Sequence, residues 1–151
     1  RHGGITMTIL ALNRIKLEAT ATDKLDAIRK AGELLVTSGC VAPAYVDGML
    51  AREETMSTYL GEGVAIPHGQ YDNREDIFET GISVLQIPEC VLWEEEDGEE
   101  EKAYLIIGIA ASADEHVGVL SKLAEAIEDE EMAEKLRTTT DPEDVLAILG
   151  D

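Results

Sequence analysis

The sequence predicts a single α/β domain, and three observations carry that prediction. Two apolar, β-branched runs, GISVLQIP (residues 81–88) and AYLIIGIAA (residues 103–111), fit strands buried on both faces of a sheet. Segments of helical periodicity precede and follow them, and this alternation argues for a layered α/β structure. A length of 151 residues with 44% hydrophobic content suits one core, and neither an internal repeat nor a flexible linker divides it.

In NRIKL, Ile15 and Leu17 stand two apart and give a short first strand. The segment TATDKLDAIRKAGELLVTSG sets Leu25, Ile28, Leu35 and Val36 on one helical face, with Thr22 as its cap and Gly39 as its stop. A second helix begins around Pro43, a favoured first-turn residue, and runs through Val46, Met49 and Leu50 towards Glu54. GVAIP is a short buried strand leading to His68. Between the two long apolar runs, seven of the eight residues 94–101 are acids, and Asp97-Gly98 supplies turn chemistry. An edge hairpin with a charged tip is expected there, solvated or attractive to a basic partner.

The remainder reads as helix. SADEHVGVLSKLAEAIEDE opens with Ser112 and Glu115 at capping-box spacing, and His116, Leu120, Leu123 and Ile127 share a face. Asp129 can cap a short helix through Leu136. In TDPEDVLAILG, Asp141 is the cap, Pro142 takes the first position, and Val145, Leu146 and Leu149 face inward.

A net charge of −20 repels phosphate backbones and anionic membranes, so neither nucleic acid nor a membrane surface is an expected partner. The same acidity suits a basic protein partner, or serves only solubility or a salty habitat. Cys40 and Cys90 form no metal-binding spacing and read as small core residues in a reducing compartment. No apolar run approaches a membrane span and no signal peptide is visible, so a cytoplasmic protein is expected. RHGGIT before Met7 resembles a cloning remnant; residues 1–6, His2 included, are set aside and residues 7–151 are taken as the domain.

The chemistry gathers at two histidines. His68 lies between proline and glycine just after an apolar run, which reads as strand, sharp turn and exposed imidazole. Such a histidine is a nucleophile, a metal ligand or an accident. His116 sits in the first turn of a helix that follows a buried strand, where open α/β sheets place ligand sites and helix N–H groups favour anions. If the two strands are parallel neighbours, both imidazoles emerge at one edge. Alone, His116 also reads as an ordinary surface histidine. A histidine pair beside a helix N-terminus suits phosphate better than metal, which wants a third ligand at recognisable spacing; Glu62 and Glu115 keep zinc as an alternative. Walker, GxGxxG and GxSxG signatures are absent. A largely neutral imidazole can carry a phosphoryl group covalently, and phosphoryl transfer asks mainly for positioning and positive charge. Arg52 is the nearest upstream cation, although periodicity alone makes it simply a charged helix end.

MLAREETMSTYLGEGVAIPHG, followed some forty residues later by IGIAASADEH, resembles the IIA component of the bacterial sugar phosphotransferase system, in the mannitol/fructose superfamily. The block RE…TYLGE…A.PHG is most like the mannitol-type branch, and the similarity runs over residues 12–149. The resemblance implies a mixed, mostly parallel sheet with helices on both faces. It implies that His68 accepts a phosphoryl group from phospho-HPr and passes it to a cysteine of a IIB domain, for uptake of mannitol or a related polyol through a membrane IIC permease. His116 would stabilise the phosphoryl group and Arg52 would assist with charge. No metal or organic cofactor is implied. Two other readings stand beside this one: a regulatory phosphoprotein like the nitrogen-related branch, and a binding module whose histidines are incidental.

Overall fold

A computed structural model describes residues 9–111 and 113–150, apart from the side chains of Tyr71 and residues 113–116. Residues 1–6, expected to be a remnant, lie outside the described residues. The strands are β1 (Ile15–Lys16), β2 (Tyr59–Gly61), β3 (Val64–Ala65), β4 (Gly81–Glu94) and β5 (Glu100–Ala110). The helices are α1 (Lys24–Thr37), α2 (Ala44–Thr55), α3 (Ala113–Glu128), α4 (Glu130–Thr138) and α5 (Pro142–Leu149).

The strands form one mixed sheet in the order β1-β4-β5-β3-β2. β1 runs parallel to β4 and β3 parallel to β5, while β4–β5 and β2–β3 are antiparallel. Parallel pairing therefore does not predominate. The long apolar runs pair directly as a hairpin, in register from Gly81↔Ala110 to Glu94↔Glu100. That hairpin is central, which corrects the expected edge position. Arms buried on both faces need neighbours on both sides, and only their distal part runs past the short strands β1 and β3. The register slips between Gln86 and Val91, where Pro88 has no N–H to pair and Cys90 has a φ of +65°. Cys90 is half-buried at this bulge, while Cys40 is in the core as expected.

Successive residues of β4 and β5 point to opposite faces. Leu85, Ile87, Ile106 and Ala110 meet α1 and α2 through Ile28, Ala31, Leu35 and Met49. Ile82, Val84, Leu105, Ile107 and Ile109 meet α3, α4 and α5 through Leu123, Ile127, Leu136, Val145 and Leu149. The expected layers on both faces are present. α1 ends at Gly39 as expected, with Gly39 N–H on Val36 O and Cys40 N–H on Leu35 O. Its cap is Asp23, not Thr22: the Asp23 carboxylate accepts from Asp26 N–H, while Thr22 N–H donates to Asp26 Oδ2. Leu25, expected on the buried face, is exposed in the first turn of α1. Pro43 is the N-cap of α2, so the helix begins at Ala44, one residue later than expected. Asp129 and Asp141 cap α4 and α5 as expected, but α4 continues to Thr138, past Leu136.

Candidate functional site

The parallel pairing of β3 with β5 decides where His68 goes. Past β3 the chain continues alongside β5 through buried Pro67, whose carbonyl accepts from Ile109 N–H at 3.0 Å. His68 then makes an isolated parallel bridge with Ile109. His68 is half-buried, not exposed, because the chain follows its neighbour for three residues beyond the strand. Its Nδ1 lies 2.9 Å from Ile66 O. A carbonyl can only accept, so Nδ1 carries the proton and the neutral ring's lone pair is on Nε2.

Gly69 was expected for its conformational latitude, yet its backbone is not in the left-handed region. Space is the reason. A Cβ there would stand 2.6 Å from Tyr45 Cε1. Tyr45 is 3% exposed on α2 and was missed by sequence reasoning. Its hydroxyl donates to Ile109 O at 2.7 Å and accepts from Gly69 N–H at 2.9 Å. It thus ties the turn bearing His68 to β5. Burial raises its pKa, the Gly69 hydrogen bond opposing, so the group stays a phenol able to donate. The available signal was a tyrosine on an apolar helix face, whose hydroxyl needs a partner when buried.

His68 opens onto a cleft of about 370 Å³ that Arg52 and Arg74 also line. None of the described residues lining it is an acid, although the chain holds 32 acids against 12 Lys and Arg. Arg52 is held at the end of α2, its Nη1 donating to Met56 O at 2.7 Å. Arg74 comes from a 3-10 turn, Tyr71–Asp76, and was not anticipated. The structure therefore brings His68 and Arg52 together and adds a second guanidinium. Ala111 lines the cleft and α3 begins two residues later, bringing the anion-favouring end of a helix to the same sheet edge. His116 belongs to the first turn of that helix, but its side chain lies outside the described residues, as does the expected Ser112–Glu115 box.

Glu62, weighed as a metal ligand, sits between β2 and β3 and lines a different recess, beside α3 and α4. Among the described residues no three or more His, Cys, Asp or Glu are gathered to hold a metal. Glu53, Thr58 and Tyr59 of the RE…TYLGE block have structural contacts. The buried Glu53 carboxylate accepts from Thr58 Oγ1 at 2.5 Å, Trp93 Nε1 at 2.9 Å and Lys24 Nζ at 3.5 Å. Tyr59 Oη accepts from Gly63 N–H at 3.0 Å, and Gly63 has a φ of +79° that suits glycine. Glu53 fixes the end of α2 and with it the base from which Arg52 reaches.

The family model described as "Phosphoenolpyruvate-dependent sugar phosphotransferase system, EIIA 2" matches residues 8–151. The multiphosphoryl transfer protein of Escherichia coli O157:H7 is 48% identical over 129 residues, 85% of this chain. The alignment spans about a third of that relative's length, 33%. The mannitol-specific phosphotransferase enzyme IIA component of Halalkalibacterium halodurans is 43% identical over 147 residues, 97% of this chain and 98% of the relative. Among solved structures, a chain of the complex of enzyme IIAMTL and phosphorylated enzyme IIBMTL from Escherichia coli superposes with a TM-score of 0.84. It is 43% identical, and the match covers 93% of this chain and 96% of that one.

Proposed function

Since the chain belongs to the EIIA 2 family of the phosphoenolpyruvate-dependent sugar phosphotransferase system, we propose that His68 is a transient phosphoryl carrier serving uptake of mannitol or a related polyol. The observation that carries this reading is the Nδ1–H bond to Ile66 O, which presents the imidazole as a nucleophile through Nε2 in a cleft with two arginines. The Nε2 lone pair attacks phosphorus on the phosphohistidine of HPr. The new N–P bond forms as the old one breaks, and the donor nitrogen keeps its electron pair. In the second transfer a cysteine thiolate of a IIB domain takes the phosphoryl group and the electron pair returns to His68 Nε2. The IIB domain then phosphorylates the sugar as a membrane IIC permease imports it.

Arg52 offsets charge on the phosphoryl oxygens, and His116, from the first turn of α3, orients and stabilises the group. The mannitol assignment is supported by the mannitol-specific name of the Halalkalibacterium relative. On this reading residues 7–151 are the acting domain and the site of action is the cytoplasm. Among the described residues no helix is long and apolar enough to cross a membrane.

Incubation with phosphoenolpyruvate, enzyme I and HPr, followed by intact mass, tests the proposal. One acid-labile phosphate is expected on the wild type and on His116→Ala, and none on His68→Ala. A wild type that takes no phosphate beside an active HPr control refutes it. Phospho-His68 that transfers nothing to a cognate IIB cysteine favours the regulatory reading instead.

A further inference from the structure

We propose that Arg74 is a second guanidinium on the transferred phosphoryl group, a role that rests on the reading of His68 as its carrier. A phosphoryl group adds roughly two negative charges to the site. The chain that must accept it already stands at −20. Arg52 commits Nη1 to the Met56 carbonyl, so it presents only the remainder of its fork. Arg74 lines the same cleft from a different element, the turn that follows His68. Asp72, Glu75 and Asp76 share that turn but are not among the described residues lining the cleft.

The turn holds Arg74 in place. Gln70 N–H donates to Asn73 Oδ1 at 2.8 Å, closing the turn on itself. The Asn73 carboxamide lies against Gly48 of α2, where any Cβ would collide with it. Ala42 N–H donates to Asp76 O at 2.8 Å and Phe78 N–H to Cys40 O at 2.7 Å, while Ile77 bridges Val41. Backbone bonds at its C-terminal end therefore fix the turn to the loop between α1 and α2, and Asn73 sets it against α2, the helix that carries Arg52. A donor on so fixed a base needs little reorganisation when charge arrives, the condition under which it stabilises transfer most. A surface arginine serving only solubility would not need its turn pinned in this way.

The test compares Arg74→Gln, Arg74→Lys and Arg52→Gln with the wild type in two readouts. One is the rate of transfer from phospho-HPr. The other is the ³¹P NMR titration of the isolated phosphoprotein, which a docking role would not move. Arg74→Gln is expected to slow transfer about tenfold and to raise the phosphoryl group's titration midpoint, since a lost cation disfavours the dianion. Arg74→Lys should recover most of the titration shift. An unchanged midpoint in Arg74→Gln overturns the proposal, whether or not the rate falls. Failure of the wild type to take up phosphate is a separate result, and it removes the carrier reading itself.

Discussion

The two ends of the β4–β5 hairpin are built from one ladder and have opposite chemistry. At the Gly81↔Ala110 end the ladder borders the His68 cleft, with two arginines and no acid among its described lining. At the Glu94↔Glu100 end it runs into the acidic tip, beside a recess of about 960 Å³, much larger than the 370 Å³ at His68. The larger recess holds four of the tip's acids, and Lys24 Nζ is already bonded to Glu94 O at 2.6 Å. Burial, then the charges of Asp97, Glu101, Glu96 and Glu99, raise the pKa of Glu95. Volume and charge density therefore do not mark the site. What singles out the proposed site is a histidine with a fixed tautomer, with cations on anchored elements around it. Near the tip, Trp93 and Glu53 form a buried structural contact; the His68 end carries the proposed chemistry.

Three substitutions can break that division. The largest effect is expected on stability at the tip end. Trp93 is fully buried and donates to the Glu53 carboxylate. Trp93→Ala should cost about 4 kcal/mol in urea unfolding, while the folded variant still takes one phosphate. Loss of uptake by folded protein would show that the two ends are coupled. Next comes Gly69→Ala, whose Cβ must displace the Tyr45 ring and with it the His68 turn. Transfer from phospho-HPr should fall about a hundredfold. A normal rate would mean that the turn relaxes without moving the imidazole.

The smallest effect belongs to Glu95→Gln. The raised pKa means that the ionised carboxylate opposes the fold at neutral pH, and that this penalty is relieved as pH falls through the folded-state value. The variant should melt slightly higher than the wild type at pH 7 in low salt. The gain should shrink in high salt and vanish in acid, where both proteins carry a neutral group. A lower melting temperature at pH 7 would show that Glu95 has a favourable partner instead.

What could be read from the sequence follows the range of the interactions. Pro67-His68-Gly69 after an apolar run is a local signal, and it singled out the histidine that the structure places in the cleft with Arg52 and Arg74. The caps Asp129 and Asp141 are local too, and both hold. Thr22 and Asp23 are adjacent residues of cap type, and pattern alone could not separate a carboxylate that accepts from Asp26 N–H from a threonine whose own N–H donates back. Arg52 could be named from the sequence only as the nearest upstream cation, to which the family resemblance added an expected role, since its place beside His68 depends on how α2 packs. Tyr45 offered a local hint, a tyrosine on an apolar helix face, but not its partner: the hydroxyl meets a carbonyl 64 residues away. Arg74 was hidden in an acidic, aperiodic stretch whose fold depends on the α1–α2 loop. The hairpin was misplaced because its charged tip suggested an edge, although its apolar arms already required neighbours on both sides.

One measurement bears on all of this at once: ¹⁵N and ³¹P NMR of the phosphorylated wild-type protein, with its histidines ¹⁵N-labelled. The Ile66 carbonyl keeps the proton on Nδ1, so the phosphoryl group should be found on Nε2 of His68, with Nδ1 still protonated. Phosphate on Nδ1, or on another residue, would contradict the mechanism at its first step.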